Sequence, residues 1–239
     1  MERIILLILK KIFIVPYWYL QIIWCAKSRK MSNERKYEII RKIVMGVNQA
    51  GNVNITCRGV ENLPDKNGYI MFPNHQGLFD VLAVIECNPT PFTVVIKEEA
   101  EKNLFLKRII QALKAQVIRR GDIRQSMKVI MQVTKEVQEG RNYLIFAEGT
   151  RSKKGNELLN FKGGSFKSAF NAKCPIVPVS VIDSYKVFDT HSIKKTDMEI
   201  HFLKPIQYEE YKDMKTTEIA EIVKNMIQKD ILIKGGEEL

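Results

Sequence analysis

Cysteine and histidine are scarce in this chain, and the few present are not arranged as metal ligands. There are four cysteines and three histidines in 239 residues. Cys25, Cys57, Cys87 and Cys174 lie far apart, with no CxxC pair and no histidine at ligand spacing. A zinc site or a disulfide framework is therefore not expected, and reduced cytosolic thiols are the plain reading. Cys174, followed by Pro175 inside an apolar run, reads as core rather than as a nucleophile. Neither GxxxxGK[ST] nor GxSxG occurs, which removes a P-loop and a nucleophile elbow. No repeat, low-complexity tract or internal linker divides Val53 to Leu239.

Acidic residues are also in short supply. Asp and Glu number 27 against 38 Lys and Arg, a net charge of +11. That excess favours an anionic partner: nucleic acid, a phospholipid surface or a phosphorylated substrate. Nucleic acid is the weakest of these, because no aromatic stacking platform is visible on a strand pattern. With 45% hydrophobic residues, the chain is long enough for one large domain or a domain with an appendage.

The greasiest stretch is the N-terminus, "MERIILLILKKIFIVPYWYLQIIWCAK". A transmembrane span, a signal peptide, an interfacial segment and a helix packed on the protein's own core all compete for it. Lys10 and Lys11 split the run, and a lysine at the bilayer centre costs roughly 2.5–3.5 kcal/mol. The uninterrupted part, Ile12 to Ala26, falls short of the ~20 residues a span requires, and Pro16 bends it. Tyr17, Trp18, Tyr19 and Trp24 suit a membrane interface. The basic band Lys27, Arg29, Lys30, Arg35, Lys36, Arg41 and Lys42 suits an anionic cytoplasmic leaflet. The favoured reading is a monotopic anchor, residues 1–45, dipping into the cytoplasmic face of the membrane, followed by a domain over residues 46–239.

That domain alternates strand-like runs with helical patterns. "VNITCRGV", "GYIMF", "PFTVVIK", "AQVIRR", "YLIFAEG", "CPIVPVSVI" and "MEIHFLKPI" read as strands. Ile123, Met127, Ile130, Val133 and Val137 recur at helical spacing, and Gly140 then stops the helix. Similar patterns cover Glu98 to Leu113 and Met214 to Ile227. The alternation predicts an α/β fold with a mostly parallel central sheet flanked by helices.

Two stretches carry candidate chemistry. In "FPNHQGLFD" a strand stops at Pro73, and His75 is followed five residues on by Asp80. Within one regular helix those side chains would face different ways. They meet if His75 lies in the turn before a helix and Asp80 in its first turn. Asp80 then accepts from one ring nitrogen, and the other takes a proton from a substrate hydroxyl. The bland alternative is a helix cap with an incidental histidine. In "YLIFAEGTRSKKG" a strand runs into Glu148, Gly149, Thr150 and Arg151, where open α/β sheets bind ligands. Arg151 suits a phosphate, while the alternative is a solvated turn. Lys97, Arg119 with Arg120, and the lysines and glycines of "FKGGSFKSAF" are further anion-binding candidates or simply surface charge.

"NHQGLFD", "VIRRGD", "FAEGTRS" and "CPIVPVSVI" occur in this order, and together they resemble the four blocks of the glycerolipid acyltransferases, the 1-acylglycerol-3-phosphate acyltransferases. The resemblance runs from about Val53 to Ile206. It implies transfer of an acyl chain from an acyl thioester, acyl-CoA or acyl carrier protein, to the free hydroxyl of lysophosphatidic acid, giving phosphatidic acid at a membrane surface without metal or other cofactor. His75 becomes the general base and Asp80 its orienting partner. Glu148, Gly149, Thr150 and Arg151 become the acceptor-binding block, with Arg151 on the phosphate and Arg120 and Lys97 assisting. Pro178 falls in the acyl-proximal wall. The sequence departs twice: Ala147 replaces the usual proline before Glu148, and Arg119 replaces an acidic residue before Arg120. Glycerol 3-phosphate or another lysolipid is the alternative acceptor. A non-catalytic anionic-lipid binder is the alternative of another class.

Overall fold

Short runs of β-branched and aromatic residues become, among the described residues, seven strands at or within the places the pattern predicts, with the fifth stopping well short of the end of its run. These are β1 (Val53–Arg58), β2 (Ile70–Pro73), β3 (Phe92–Lys97), β4 (Gln116–Ile118), β5 (Asn142–Leu144), β6 (Ile176–Ile182) and β7 (Thr196–Phe202). The structure, a computed structural model, describes residues 2–119, 121–190 and 192–235. The strands form one sheet in the order β1-β7-β6-β2-β5-β3-β4. β6, β2, β5, β3 and β4 are mutually parallel, while β7 runs antiparallel to β6 and parallel to β1. The carboxyl ends of five strands therefore open on one edge, where α/β sheets place ligands.

Among the described residues ten helices surround the sheet: α1 (Glu2–Lys10), α2 (Val15–Lys27), α3 (Asn33–Ala50), α4 (Asp80–Cys87), α5 (Leu104–Leu113), α6 (Ile123–Gln138), α7 (Lys167–Ala172), α8 (Tyr185–Phe188), α9 (Tyr208–Tyr211) and α10 (Thr216–Gly235). Side chains alternate along an extended chain, so Tyr69 and the β2 residues after it divide between two cores. Tyr69 and Met71 meet α2, α3, α4 and α5 on one face. Ile70 and Phe72 meet α6, α7, α9 and α10 on the other. Local signals set the helix ends. Asn103 caps α5 by accepting from the Phe105 and Leu106 amides, so the helical pattern begun at Glu98 starts as a 3-10 turn (Glu98–Lys102). Asp122 caps α6 in the same way through Gln125, and α6 ends just before Gly140.

The N-terminal region is three helices, and α3 was not separated from the basic band in the sequence reading. Residue 45 lies within α3, whose Tyr37, Ile40, Ile43 and Val44 are buried. Two of the basic residues act locally. Lys36 donates to the Ser28 carbonyl at 2.8 Å. Arg41 donates to the carbonyls of Ile85 and Glu86 at the end of α4, at 3.1 and 2.7 Å, where a cation also suits the helix dipole. Gly46 lets α2 press on α3, since a Cβ there would sit 2.6 Å from the Trp18 ring. The break before Pro16 bends α1 against α2 by 98°. No single described helix is long and apolar enough to cross a membrane.

One expectation is overturned. Cys57 of β1 and Cys87 at the end of α4 are joined in a disulfide, with Cα atoms 5.5 Å apart. Separation in sequence hid a contact created by α4 packing back on β1. Cys25 and Cys174 are free and buried, as core thiols. Burial also pushes the Cys174 thiol up to about 12.

Candidate active site

β2 sits in the middle of the sheet and delivers its chain end to the open edge. Pro73, the last strand residue, pairs with Val179 of β6. Asn74 then continues the ladder with its side chain: Nδ2 donates to the Val181 carbonyl at 2.9 Å, and Oδ1 accepts the Val181 amide at 2.7 Å. The backbone is thereby free to turn. His75 lies in that turn and Asp80 is the first residue of α4, the arrangement that lets the pair meet. Nδ1 of His75 is 2.7 Å from Oδ2 of Asp80. The His75 ring stacks on Phe146 with centroids 3.9 Å apart. Its Nε2 has no hydrogen-bond partner among the described residues, and the side chain is 19% exposed.

Asp80 is 0% exposed and well supplied with donors. The amides of Gln76 and Gly77 reach Oδ2 at 2.8 and 3.1 Å, and Gly77 is also 3.1 Å from Oδ1. The Ser184 hydroxyl donates to Oδ1. A buried carboxylate needs such compensation, and these donors hold Oδ2 toward His75. With Nδ1 of His75 committed to Asp80, Nε2 is the ring nitrogen left open.

β5 delivers the second block beside the first. Glu148 is buried, and both its oxygens accept backbone amides: Oε1 from His75 at 2.7 Å and Oε2 from Leu159 at 3.2 Å. The Ser152 amide donates to the His75 carbonyl at 2.8 Å. Burial raises the Glu148 carboxyl to about 7, against the lowering effect of those two amides. Glu148 thus ties the two blocks together. Gly149 has φ +69°, and a Cβ there would lie 3.2 Å from Lys162 Nζ, which places a second cation beside the half-buried Arg151 turn. Arg151 has no hydrogen-bond or ion-pair partner among the described residues. Thr150 is exposed in the same turn.

The remaining candidates are spread wider. Lys97 ends β3 opposite Ile118 of β4. Arg119 is exposed and paired with Glu98 at 2.6 Å, and Arg120 lies outside the described residues. Pro178 is buried in β6 opposite Phe72. His201, opposite Ser180 of β6, is held between Asp230 and Glu199 at 2.9 Å each, a tie between β7 and α10. Among the described residues no group of three His, Cys, Asp or Glu side chains could hold a metal ion. Phe146, Asn74, Gln76, Asn156 and Ser184 were missed as site residues. Asn74 and Gln76 had a signal in their place beside His75, and Phe146 in its place beside Glu148; Asn156 and Ser184 had none.

A family model for acyltransferases matches residues 54–182, and the chain belongs to that family. It is 28% identical over 149 residues to a 1-acyl-sn-glycerol-3-phosphate acyltransferase of Borreliella burgdorferi, covering 62% of this chain and 59% of that one. A probable 1-acyl-sn-glycerol-3-phosphate acyltransferase of Mycoplasma genitalium is 25% identical over 237 residues, covering 90% and 87%. The human 1-acyl-sn-glycerol-3-phosphate acyltransferase alpha is 30% identical over 162 residues, covering 65% and 55%. The chain thus spans under two thirds of the Borreliella and human proteins but most of the Mycoplasma one. In fold it resembles the 1-acyl-sn-glycerophosphate (LPA) acyltransferase PlsC of Thermotoga maritima, with a TM-score of 0.78 at 20% identity over 100% of both chains.

Proposed function

We propose that this chain is a 1-acylglycerol-3-phosphate O-acyltransferase, which transfers an acyl group from acyl-CoA or acyl carrier protein to lysophosphatidic acid. The observation that carries the reading is His75, held by Asp80 through Nδ1 with Nε2 open. His75 Nε2 takes the acceptor's hydroxyl proton as that oxygen attacks the thioester carbonyl. The C–O bond forms, the C–S bond breaks, and the proton on His75 passes to the departing thiolate. Positioning both substrates supplies up to ~7–11 kcal/mol in well-oriented reactions. Arg151, with Lys162, Lys97 and Arg120 in support, provides the positive charge for the acceptor phosphate, beside Glu148, Gly149 and Thr150. The relatives named for this activity support the choice of acceptor.

With a labelled acyl thioester, kcat/KM for lysophosphatidic acid should exceed that for glycerol 3-phosphate at least tenfold. The reverse ranking would reassign the acceptor. No transfer to any lysolipid or glycerol 3-phosphate, from either donor, would leave lipid binding as the function.

The elbow between α1 and α2 supports residence on a membrane surface. Leu9, Ile12, Phe13, Tyr17, Leu20 and Trp24 are exposed there, Phe13 at 93%, and lysines flank them. Burying one such side chain is worth roughly 1.5–3 kcal/mol. Phe13→Glu should accordingly weaken binding to anionic phospholipid vesicles by about ten- to a hundredfold in a sedimentation assay. Binding equal to wild type would remove the anchor from the elbow.

A further inference from the structure

Asp80 is oriented partly from outside its own motif. Ser184 lies beyond the end of β6 and two residues past the segment matched by the family model, yet its hydroxyl supplies the donor on Asp80 Oδ1. Asp183, immediately before it, turns the chain with φ +64°, a left-handed conformation that costs most side chains energy. Asn156, from the loop between β5 and α7, holds that turn from two sides. Its Oδ1 accepts the Asp183 amide at 3.0 Å and its Nδ2 donates to Asp183 Oδ1 at 3.1 Å. Gln76 closes the circuit: Nε2 donates to Asn156 Oδ1 at 2.7 Å, and Oε1 accepts the Ser184 amide at 2.9 Å. Gln76 and Ser184 are each 1% exposed.

The geometry points to Ser184 as a positioning residue for acyl transfer, with Asn156 setting the turn that aims it at Asp80. This rests on the acyl-transfer reading of His75. The carboxylate has two ends to restrain. Oδ2 receives Gln76, Gly77 and His75, whereas Oδ1 has Ser184 and a shared 3.1 Å contact from Gly77. Without the hydroxyl, Oδ1 is held by the shared amide alone, and the carboxylate turns to recover donors. His75 turns with it, because its Nδ1–H follows Oδ2. A misplacement of about 1 Å in a reacting group costs as much as a hundredfold in rate. A buried polar cluster that only stabilised the fold would lower the melting temperature and leave turnover per folded molecule unchanged.

Two variants separate these roles. Ser184→Ala removes the donor itself, and Asn156→Ala loosens the turn without touching Asp80. Each is assayed for kcat and KM toward lysophosphatidic acid well below its own melting temperature. The His75 Nδ1–H resonance is followed in the same samples by proton NMR. The expected result is a kcat lowered about ten- to a hundredfold in Ser184→Ala, a smaller loss in Asn156→Ala, KM within about twofold of wild type, and a displaced resonance in both. Wild-type kcat with an unmoved resonance in either variant overturns the proposal, and Asn156→Ala decides alone if Ser184→Ala does not fold. Absence of transfer by the wild-type protein is the separate outcome that removes the acyl-transfer reading itself.

Discussion

His75→Ala is expected to keep less than about 1% of wild-type kcat for lysophosphatidic acid while remaining folded. General base catalysis contributes roughly 10²–10⁴-fold, and no other described residue at this edge is arranged to supply it. Asp80 is acceptor-saturated and buried, and both Glu148 oxygens are committed to amides. The fold loses little. His75 is partly exposed and gives up one ring stack and one hydrogen bond, while its backbone contacts to Glu148 and Ser152 persist. The check is initial-rate kinetics beside a thermal melt. A variant within tenfold of wild type would place the base elsewhere.

Glu148→Gln is expected to reshape the stability profile with pH. In the unfolded chain this carboxyl loses its proton near 4.5, and in the fold it keeps it to about 7 because burial disfavours the charge. Between those values the folded state holds the proton that the unfolded state has released. Wild-type stability therefore falls as pH rises through that window and levels off above it, by on the order of a few kcal/mol. Glutamine has no proton to lose, so that slope disappears. It also has one acceptor oxygen for two amides, and an orphaned buried amide costs about 1–3 kcal/mol. The variant should be clearly weaker than wild type at pH 5, with the gap narrowing by pH 8 in urea unfolding. Parallel profiles for the two proteins would show that Glu148 does not titrate in this window.

The strands were readable because they are short runs rich in β-branched or aromatic residues, and their alternation with helical patterns along the chain gives an α/β class. The meeting of His75 with Asp80 was also within reach, since Pro73 and Gly77 imply a bend at that point. The rest depended on contacts across the chain. Asn156 and Ser184 are ordinary loop polars until residues 76 and 80 are brought to them. Lys36 and Arg41 look like membrane-facing charge, yet they reach backbone carbonyls. Cys57 and Cys87 meet only because α4 returns to β1.

Arg3 changes how the N-terminal helices should be regarded. Its guanidinium is buried and donates to the carbonyls of Val187, Gly51, Asn52, Ser192 and Lys194 and to the Thr196 hydroxyl. Ile22 and Cys25 of α2 belong to the same core as β2. The elbow is therefore a bracket, not a leash. Cutting it away to obtain a more soluble protein would open one face of the core and strand several carbonyls. On the proposed reading, the part that would meet lipid and the part that keeps the His75 edge in order are one piece, so the domain would face a membrane at a single pitch.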